Sequence, residues 1–549
     1  MRLPFVRHVP LAGWGPFLKR GARTAEKEDA ARILHVRALV LEDPQGERVA
    51  LCTIDLHGGS RYLTEKAASL VADEGFHPAN LFLSGTHNHA GPGGMYASPY
   101  YDAWAASTGI FSFGSLRVGF NQDLSDELSR RVAKAIRDAV AALRPARIGS
   151  SHQVKLPHWS RQRSAPALKA NFPNLTDAQI VEQFRELSGA DELTRAALDA
   201  RVQTIAAFEA NEGPLIGSFS TWSAHCALLS REHETQSADY FGEAAGKAET
   251  EHPGAVVAVA AGSIGDCDPL PPGMELEELL EKRKRIDTNE ALVVNQAAAL
   301  AKGLLEAIAD AKTHQSELQS LSPRFLEEKI SEAHVESVQL PEKPQIGIPT
   351  IAGSELGTGD INVAFFKVHL REGVRQSGPD THDAHYSRSR TNKDDHVADR
   401  LERTVGRVAA WISFLSTTSF LDEQVKTLPV RYLTLELGDR ALGVLGLPGE
   451  PTTWLAAKLA KLTNVKTIVT GVTGEYAGYL TTEAEYAVQH YEGGSTIWGR
   501  YTERWLTARV KELVAGKGTE RSLAPPEFNV LREKWKTRID GDSGEMTKN

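Results

Sequence analysis

The sequence predicts an α/β fold: mixed, largely parallel central sheets flanked by helices, with the functional site at the carboxyl ends of the strands. Three observations predict it. Short runs rich in Val, Leu and Ile alternate with segments of helical spacing in the N-terminal third. Residues 47–55, 60–74 and 80–85 read as strand, helix and strand, a unit that requires parallel strands. Five apolar strands are each followed directly by a group able to bind a metal or move a proton, and in open α/β sheets sites lie beyond the carboxyl ends of the strands.

The elements follow in order. HVRALVLED (35–43) and ERVALCTID (47–55) pair around a PQG turn. SRYLTEKAASLVADEGF (60–76) has helical spacing with a Gly near its end. LSDELSRRVAKAIRDAVAAL (124–143) is a long amphipathic helix, and ARIGSSHQVKL (146–156) is extended. Residues 168–200 form a helical insertion, and 200–222 form a hairpin turning at NEG. A helix (238–252) leads into the buried strand AVVAVAAG (255–262), and 275–312 make one or two long helices. ALGVLGL (441–447) and VKTIVTGV (465–472) are strands, each followed by helical sequence. The divergent region 313–400 mixes alternating segments with the polar loop 377–396. No internal repeat is visible. The reading is one domain over 1–517 and a charged tail over 518–549.

Composition narrows the function. The 549 residues carry 62 basic and 71 acidic side chains, a net charge of −9, which argues against a nucleic-acid footprint. No apolar run approaches the roughly 20 residues that span a bilayer. The N-terminus has no continuous apolar core of a signal peptide. The chain as given is expected in the cytoplasm, or outside it if a signal peptide has been removed. Cys52, Cys226 and Cys267 make no disulfide framework and no CxxC pair. Any metal site must therefore rest on His, carboxylate or Tyr.

The residues after the strands meet that need. NLFLSG leads to His87 and His89 in LFLSGTHNHAGPGG; LIGSFSTW leads to His225; AVVAVAAG leads to Asp266 and Asp268. ALGVLGL leads to Glu450, and KTIVTGV to Tyr476 and Tyr479. If locally extended, His87 and His89 point the same way. Each residue alone has a plainer reading: a solvated loop histidine, a core histidine, a turn or capping carboxylate, a packed tyrosine. His382, His385 and His396 sit in a charged loop and read as solvated. Cys267, with Asp on both sides, reads as a poor nucleophile.

At this point the chain resembles the neutral ceramidases. LSGTHNHAGPGG is similar to their GTHTHSGPGG signature, SRQRS (160–164) to SRNRS, and FSTWSAHCA to their F-x-x-H stretch. LPGEPTTW resembles their glutamate motif, and EYAGYLTTEAEYAVQHYEGGSTIWG (475–499) is the nearest match. The five motifs occur in the family order over roughly residues 10–515. The resemblance implies a Zn²⁺-dependent amidase that splits ceramide, with ligands His87, His225, Glu450 and Tyr479. His89, Arg163 and Tyr491 would line the substrate site. The partner is then a small-molecule or lipid N-acyl amide, with no nucleic acid and no transmembrane segment. One departure stands out: where the family has a serine before a proline, this chain has Asp268 in Gly265-Asp266-Cys267-Asp268-Pro269. Asp268 would act as a general base on the zinc water, or as an added ligand or water-holder, or the chain would be a non-catalytic zinc- or lipid-binding relative. A metal-dependent amidohydrolase of (β/α)₈ type is the alternative outside the family. The sequence also ends before the family's C-terminal immunoglobulin-like domain.

Overall fold

The computed structural model describes residues 1–7, 9, 11–13, 25–96, 120–210, 213–229, 233–283, 286–341, 360–363, 366–369, 427–438, 440–488 and 490–518. The polar loop 377–396, with His382, His385 and His396, lies outside the described residues, as do residues 519–549 of the expected tail.

Three sheets carry the fold. The first runs in the order Val36–Glu42, Arg48–Ile54, Leu81–Gly85. The second runs Val256–Ala261, Leu215–Trp222, Gln203–Glu209, Ala146–Ser151. The third runs Leu318–Lys329, Thr427–Leu437, Arg440–Gly446, Lys466–Thr470. The sheets are mixed, as expected, but not largely parallel. Among the described residues each has one parallel pair, and its other pairs are antiparallel. The reason is local. Short connections close Val36–Glu42 onto Arg48–Ile54, Gln203–Glu209 onto Leu215–Trp222, and Thr427–Leu437 onto Arg440–Gly446 as antiparallel hairpins. Only the second strand of each hairpin then continues through a helix to a parallel neighbour.

Those crossovers reveal a repeat that the sequence hides. Helix Arg61–Leu70 joins Arg48–Ile54 to Leu81–Gly85; Asp239–Glu251 joins Leu215–Trp222 to Val256–Ala261; Thr453–Lys461 joins Arg440–Gly446 to Lys466–Thr470. The same strand–strand–helix–strand unit therefore occurs three times. Its copies share topology, not residues, so no period appears in the sequence.

The faces of the strands explain the packing. Leu39, Leu51 and Phe82 of the first sheet meet Ile205, Phe219 and Ala258 of the second and Leu433, Leu442 and Ile468 of the third in one buried cluster. Each fully buried Leu or Phe contributes ~1.5–3 kcal/mol. That shared core fixes the three sheets relative to one another, and with them the loops at their strand ends. The opposite face of the second sheet is covered by helices Asp239–Glu251 and Ile286–Thr313 through Tyr240, Phe241, Leu300 and Leu304. Helices Arg61–Leu70, Gln122–Ala141 and Thr502–Val514 cover the outer faces of the other two, with Leu63, Val132 and Trp505 buried.

Residues Asn289–Thr313 are long and apolar enough to cross a membrane by length and composition, which the sequence reading did not anticipate. Here Val293, Ala297, Leu304 and Ile308 pack into the core of the second sheet. Over 165–196 the chain forms the short helices Ala165–Lys169, Asp177–Gln183 and Leu193–Ala196.

Candidate metal centre

The three repeats aim their strand ends at one place. His57 follows strand Arg48–Ile54, His225 follows Leu215–Trp222, and Glu450 follows Arg440–Gly446, so the second strand of every hairpin delivers one donor. The last strand of each unit delivers a second set: His87 and His89, then Asp266 and Asp268, then Tyr476 and Tyr479. Two short ladders refine the placement. Glu450–Pro451 pairs in parallel with Tyr479–Leu480, setting Glu450 opposite Tyr479. Cys267–Pro269 pairs antiparallel with Ser160–Gln162, which brings Arg163 beside Asp268. Gly265 makes the crossing possible: a Cβ there would lie 2.6 Å from the Glu450 carbonyl oxygen.

His87, His225 and Glu450 each offer a ligand atom within 4.8 Å of the others, and all three are buried. The histidines are oriented by the backbone. A carbonyl can only accept, so His87 Nδ1–H donates to His57 O (2.9 Å) and His225 Nδ1–H donates to Cys267 O (3.1 Å). In a neutral ring the second nitrogen, Nε2, then carries the lone pair. His87 Nε2 lies 3.4 Å from Glu450 Oε1, and His225 Nε2 lies 3.0 Å from Glu450 Oε2. In the neutral rings that a metal requires, these nitrogens and the carboxylate oxygens converge on one space that suits a cation. Burial lowers the His87 pKa to about 4, which favours the neutral ring a metal needs. Burial alone would raise the Glu450 pKa, but His87 and His225 overcome it and hold the carboxyl well below the usual range.

His87 and His89 do not form the extended pair expected. His87 has φ of 60°, left-handed backbone that costs a β-carbon residue ~1 kcal/mol or more. Asn88 holds the turn by donating to Asp55 O and Ser237 O (3.0 and 2.6 Å) and accepting from Ala90 N–H (2.8 Å). The two rings still meet, 4.8 Å apart edge to face.

Tyr479 and Arg163 form the next layer. Tyr479 Oη is 3.4 Å from His225 Nε2 and accepts from Arg163 Nη2 (2.8 Å). Burial raises the Tyr479 pKa well above its ordinary value despite Arg163, so the ring is a phenol before any metal acts on it. Arg163 is buried. It also donates from Nε to Glu492 Oε1 (2.8 Å), from Nη1 to Asp268 Oδ1 (3.1 Å) and from Nη2 to Gly265 O (2.7 Å). Four of its five N–H groups are thereby committed to the protein. Tyr491 packs under the guanidinium, 5.4 Å from ring centre to Cζ.

Asp268 is buried and shares one guanidinium with Tyr479. Its neighbour Asp266 has the plainer role: it accepts from Thr453 N–H and Oγ1 (2.8 and 2.9 Å) at the start of helix Thr453–Lys461. Cys267 is no nucleophile, because burial first and Asp266 second push its pKa well up. Three site residues escaped the sequence reading. His57 obeys the strand-end rule applied to the other strands and was open to it. Tyr476 follows its strand, but nothing in the sequence marks its role; its hydroxyl donates to Glu450 Oε1 (2.7 Å). Glu492 follows Tyr491 directly, yet nothing in the sequence marks it as the partner of Arg163.

Comparison with known proteins gives a consistent picture. The profile of the neutral/alkaline non-lysosomal ceramidase N-terminal domain matches residues 26–282 and 451–507, more than half of the chain. Neutral ceramidase of Mycobacterium tuberculosis is 23% identical over 530 residues, covering 87% of this chain and 71% of that protein. Neutral ceramidase 2 of Arabidopsis thaliana is 33% identical over 108 residues, but the match spans only 16% of this chain and 14% of the plant protein. The crystal structure of neutral ceramidase from Pseudomonas aeruginosa superposes with a TM-score of 0.67 at 18% identity, over 96% of this chain and 75% of that one, a likeness of fold.

Proposed function

The chain belongs to the neutral/alkaline non-lysosomal ceramidase family, and from that premise we propose that it is a zinc-dependent amidase acting on an N-acyl amide of the ceramide type. One observation carries the proposal: His87 Nε2, His225 Nε2 and the Glu450 carboxylate converge in a buried space, with both Nδ1 atoms fixed on carbonyls. Two imidazoles and a carboxylate suit Zn²⁺, with Tyr479 as a fourth donor. When bound, zinc would supply an acidified water and polarise the amide carbonyl.

The chain's own residues do the rest. Asp268 takes the proton of the attacking water and returns it to the leaving nitrogen. The C–N bond breaks, the water oxygen joins the acyl carbon, and a carboxylic acid and an amine leave. Arg163 aims Asp268 through its Nη1 donor, and keeps Tyr479 beside His225. It acts as a positioning residue, because most of its donors are committed. His89 and Tyr491 border the same space and are proposed to line the substrate. The ion pair of Asp268 with Arg163 also supports a second reading, a relative that binds metal and lipid without turnover.

Hydrolysis of a short-chain fluorescent ceramide and a panel of simpler N-acyl amides separates the two. The proposal expects product from the wild type, and a loss of ~10²-fold or more in Asp268→Asn with zinc retained. Wild-type protein that holds zinc and turns over nothing on the panel contradicts it.

A further inference from the structure

We propose that the centre has a second, all-imidazole metal seat made by His57, His87 and His89, which shares His87 with the seat of His225 and Glu450 and takes a late first-row divalent ion. The inference rests on the metal reading above and adds a site to it.

Two independent observations point here. The first is geometric: His57, His87 and His89 are buried and offer ligand atoms within 4.8 Å of one another, as His87, His225 and Glu450 do. The second is topological. His57 stands after the second strand of the first repeat, where the other two repeats place His225 and Glu450. It occupies the first unit's donor position.

Ring contacts place the side chains. His57 lies 4.4 Å from His87 and 5.7 Å from His89, centre to centre, and His225 lies 4.9 and 5.9 Å from the same two rings. His57 and His225 thus each adjoin the His87–His89 pair. The His57 ring is held on one side by Tyr96 Oη, 3.2 Å from Nδ1. That contact occupies Nδ1, whichever of the two atoms donates, and leaves Nε2 as the nitrogen open to a metal. The His89 ring is seated against Gly13, where a Cβ would lie 2.3 Å from its Cγ.

Sharing His87 has a consequence. Its Nδ1 is fixed on the His57 carbonyl, so only Nε2 can bind a metal. The two seats therefore exclude each other, and one ion chooses between them. The first seat adds a carboxylate. The second has imidazole alone, which suits Zn²⁺, Ni²⁺ and Cu²⁺.

The test strips the full chain with a chelator, reloads it with Zn²⁺, reads metal by plasma mass spectrometry and ligands by zinc-edge X-ray absorption. Glu450→Gln, and Glu450→Gln with His225→Gln, remove donors private to the first seat. Each variant, folded by circular dichroism, is expected to keep about one zinc per chain with imidazole ligands. Adding His57→Gln to either should then weaken zinc at least ~10-fold further. Loss of all zinc from folded Glu450→Gln protein, or no change on adding His57→Gln, overturns the second seat and leaves the proposed function standing. A wild-type chain that takes up no zinc overturns both. If the variant lacking both Glu450 and His225 does not fold, the comparison in the Glu450→Gln background decides alone.

Discussion

Replacing Arg163 by Met is expected to strand two buried carboxylates. Arg163 Nη1 is 3.1 Å from Asp268 and its Nε 2.8 Å from Glu492, with all three side chains almost fully inaccessible. Breaking a buried ion pair by removing one partner costs ~3–5 kcal/mol. A second route gives a similar figure. Burial opposes ionisation of Glu492, but Arg163 first, then His490 and Ser164, overcome it and bring the pKa from 4.5 to about 2. At ~1.4 kcal/mol per unit that is ~3 kcal/mol for Glu492, of which Arg163 is the largest favourable contributor. An unfolding entropy of ~2.1 cal/mol/K per residue makes each kcal/mol worth ~1 °C in Tm for a chain of this size. Arg163→Met should therefore melt ~3–5 °C lower at pH 7 by scanning calorimetry.

The sign of the pH dependence is also fixed. A depressed carboxyl pKa gives stability that is present above pH 4.5 and lost as pH falls toward 2. The wild type loses that contribution in acid. The variant lacks it and gains instead when its stranded carboxylates protonate. The gap between the two proteins should narrow from pH 7 toward pH 4. A Tm difference below ~1 °C at pH 7, or a gap that widens in acid, would refute the hub role of Arg163.

Two further outcomes follow from the same geometry. Tyr476→Phe removes the hydroxyl that donates to Glu450 Oε1, so zinc affinity measured by competition with a chelating dye should fall ~10–100-fold; unchanged affinity would show that this hydroxyl does not tune the centre. Burial lowers the pKa of both His87 and His152 to about 4. The unfolded chain binds their protons from about pH 6.5 downward, so metal-free protein should lose stability between pH 6.5 and 4, by up to ~3 kcal/mol for each ring. His152→Gln, away from the metal centre, should flatten that slope by its share, and a Tm flat across the interval would contradict the assignment.

The convergence of His87, His225 and Glu450 was legible because its signals are local: an apolar strand followed by His or Glu is visible in a short window. That rule reaches His87, His225 and Glu450, and applied evenly it also reaches His57. What failed was anything set by three-dimensional crossing. The sheets were expected to be largely parallel because the strand–helix–strand units were conspicuous, while the hairpin preceding each unit counts equally in the sheet. The threefold repeat was invisible because its copies share connectivity and no residue pattern. His87 was expected in extended backbone, but Asn88 turns the chain there and sets φ at 60°. Glu492 meets Arg163 across 329 positions, and no spacing rule covers that distance.

Metal stoichiometry in purified wild type and His87→Ala tests the central claim most directly, since His87 Nε2 belongs to both proposed seats. The account predicts about one zinc per wild-type chain and a loss of at least ~10³-fold in affinity for the variant, with its fold retained. A folded wild type without stoichiometric metal, or a His87→Ala protein that binds zinc as tightly, would contradict it.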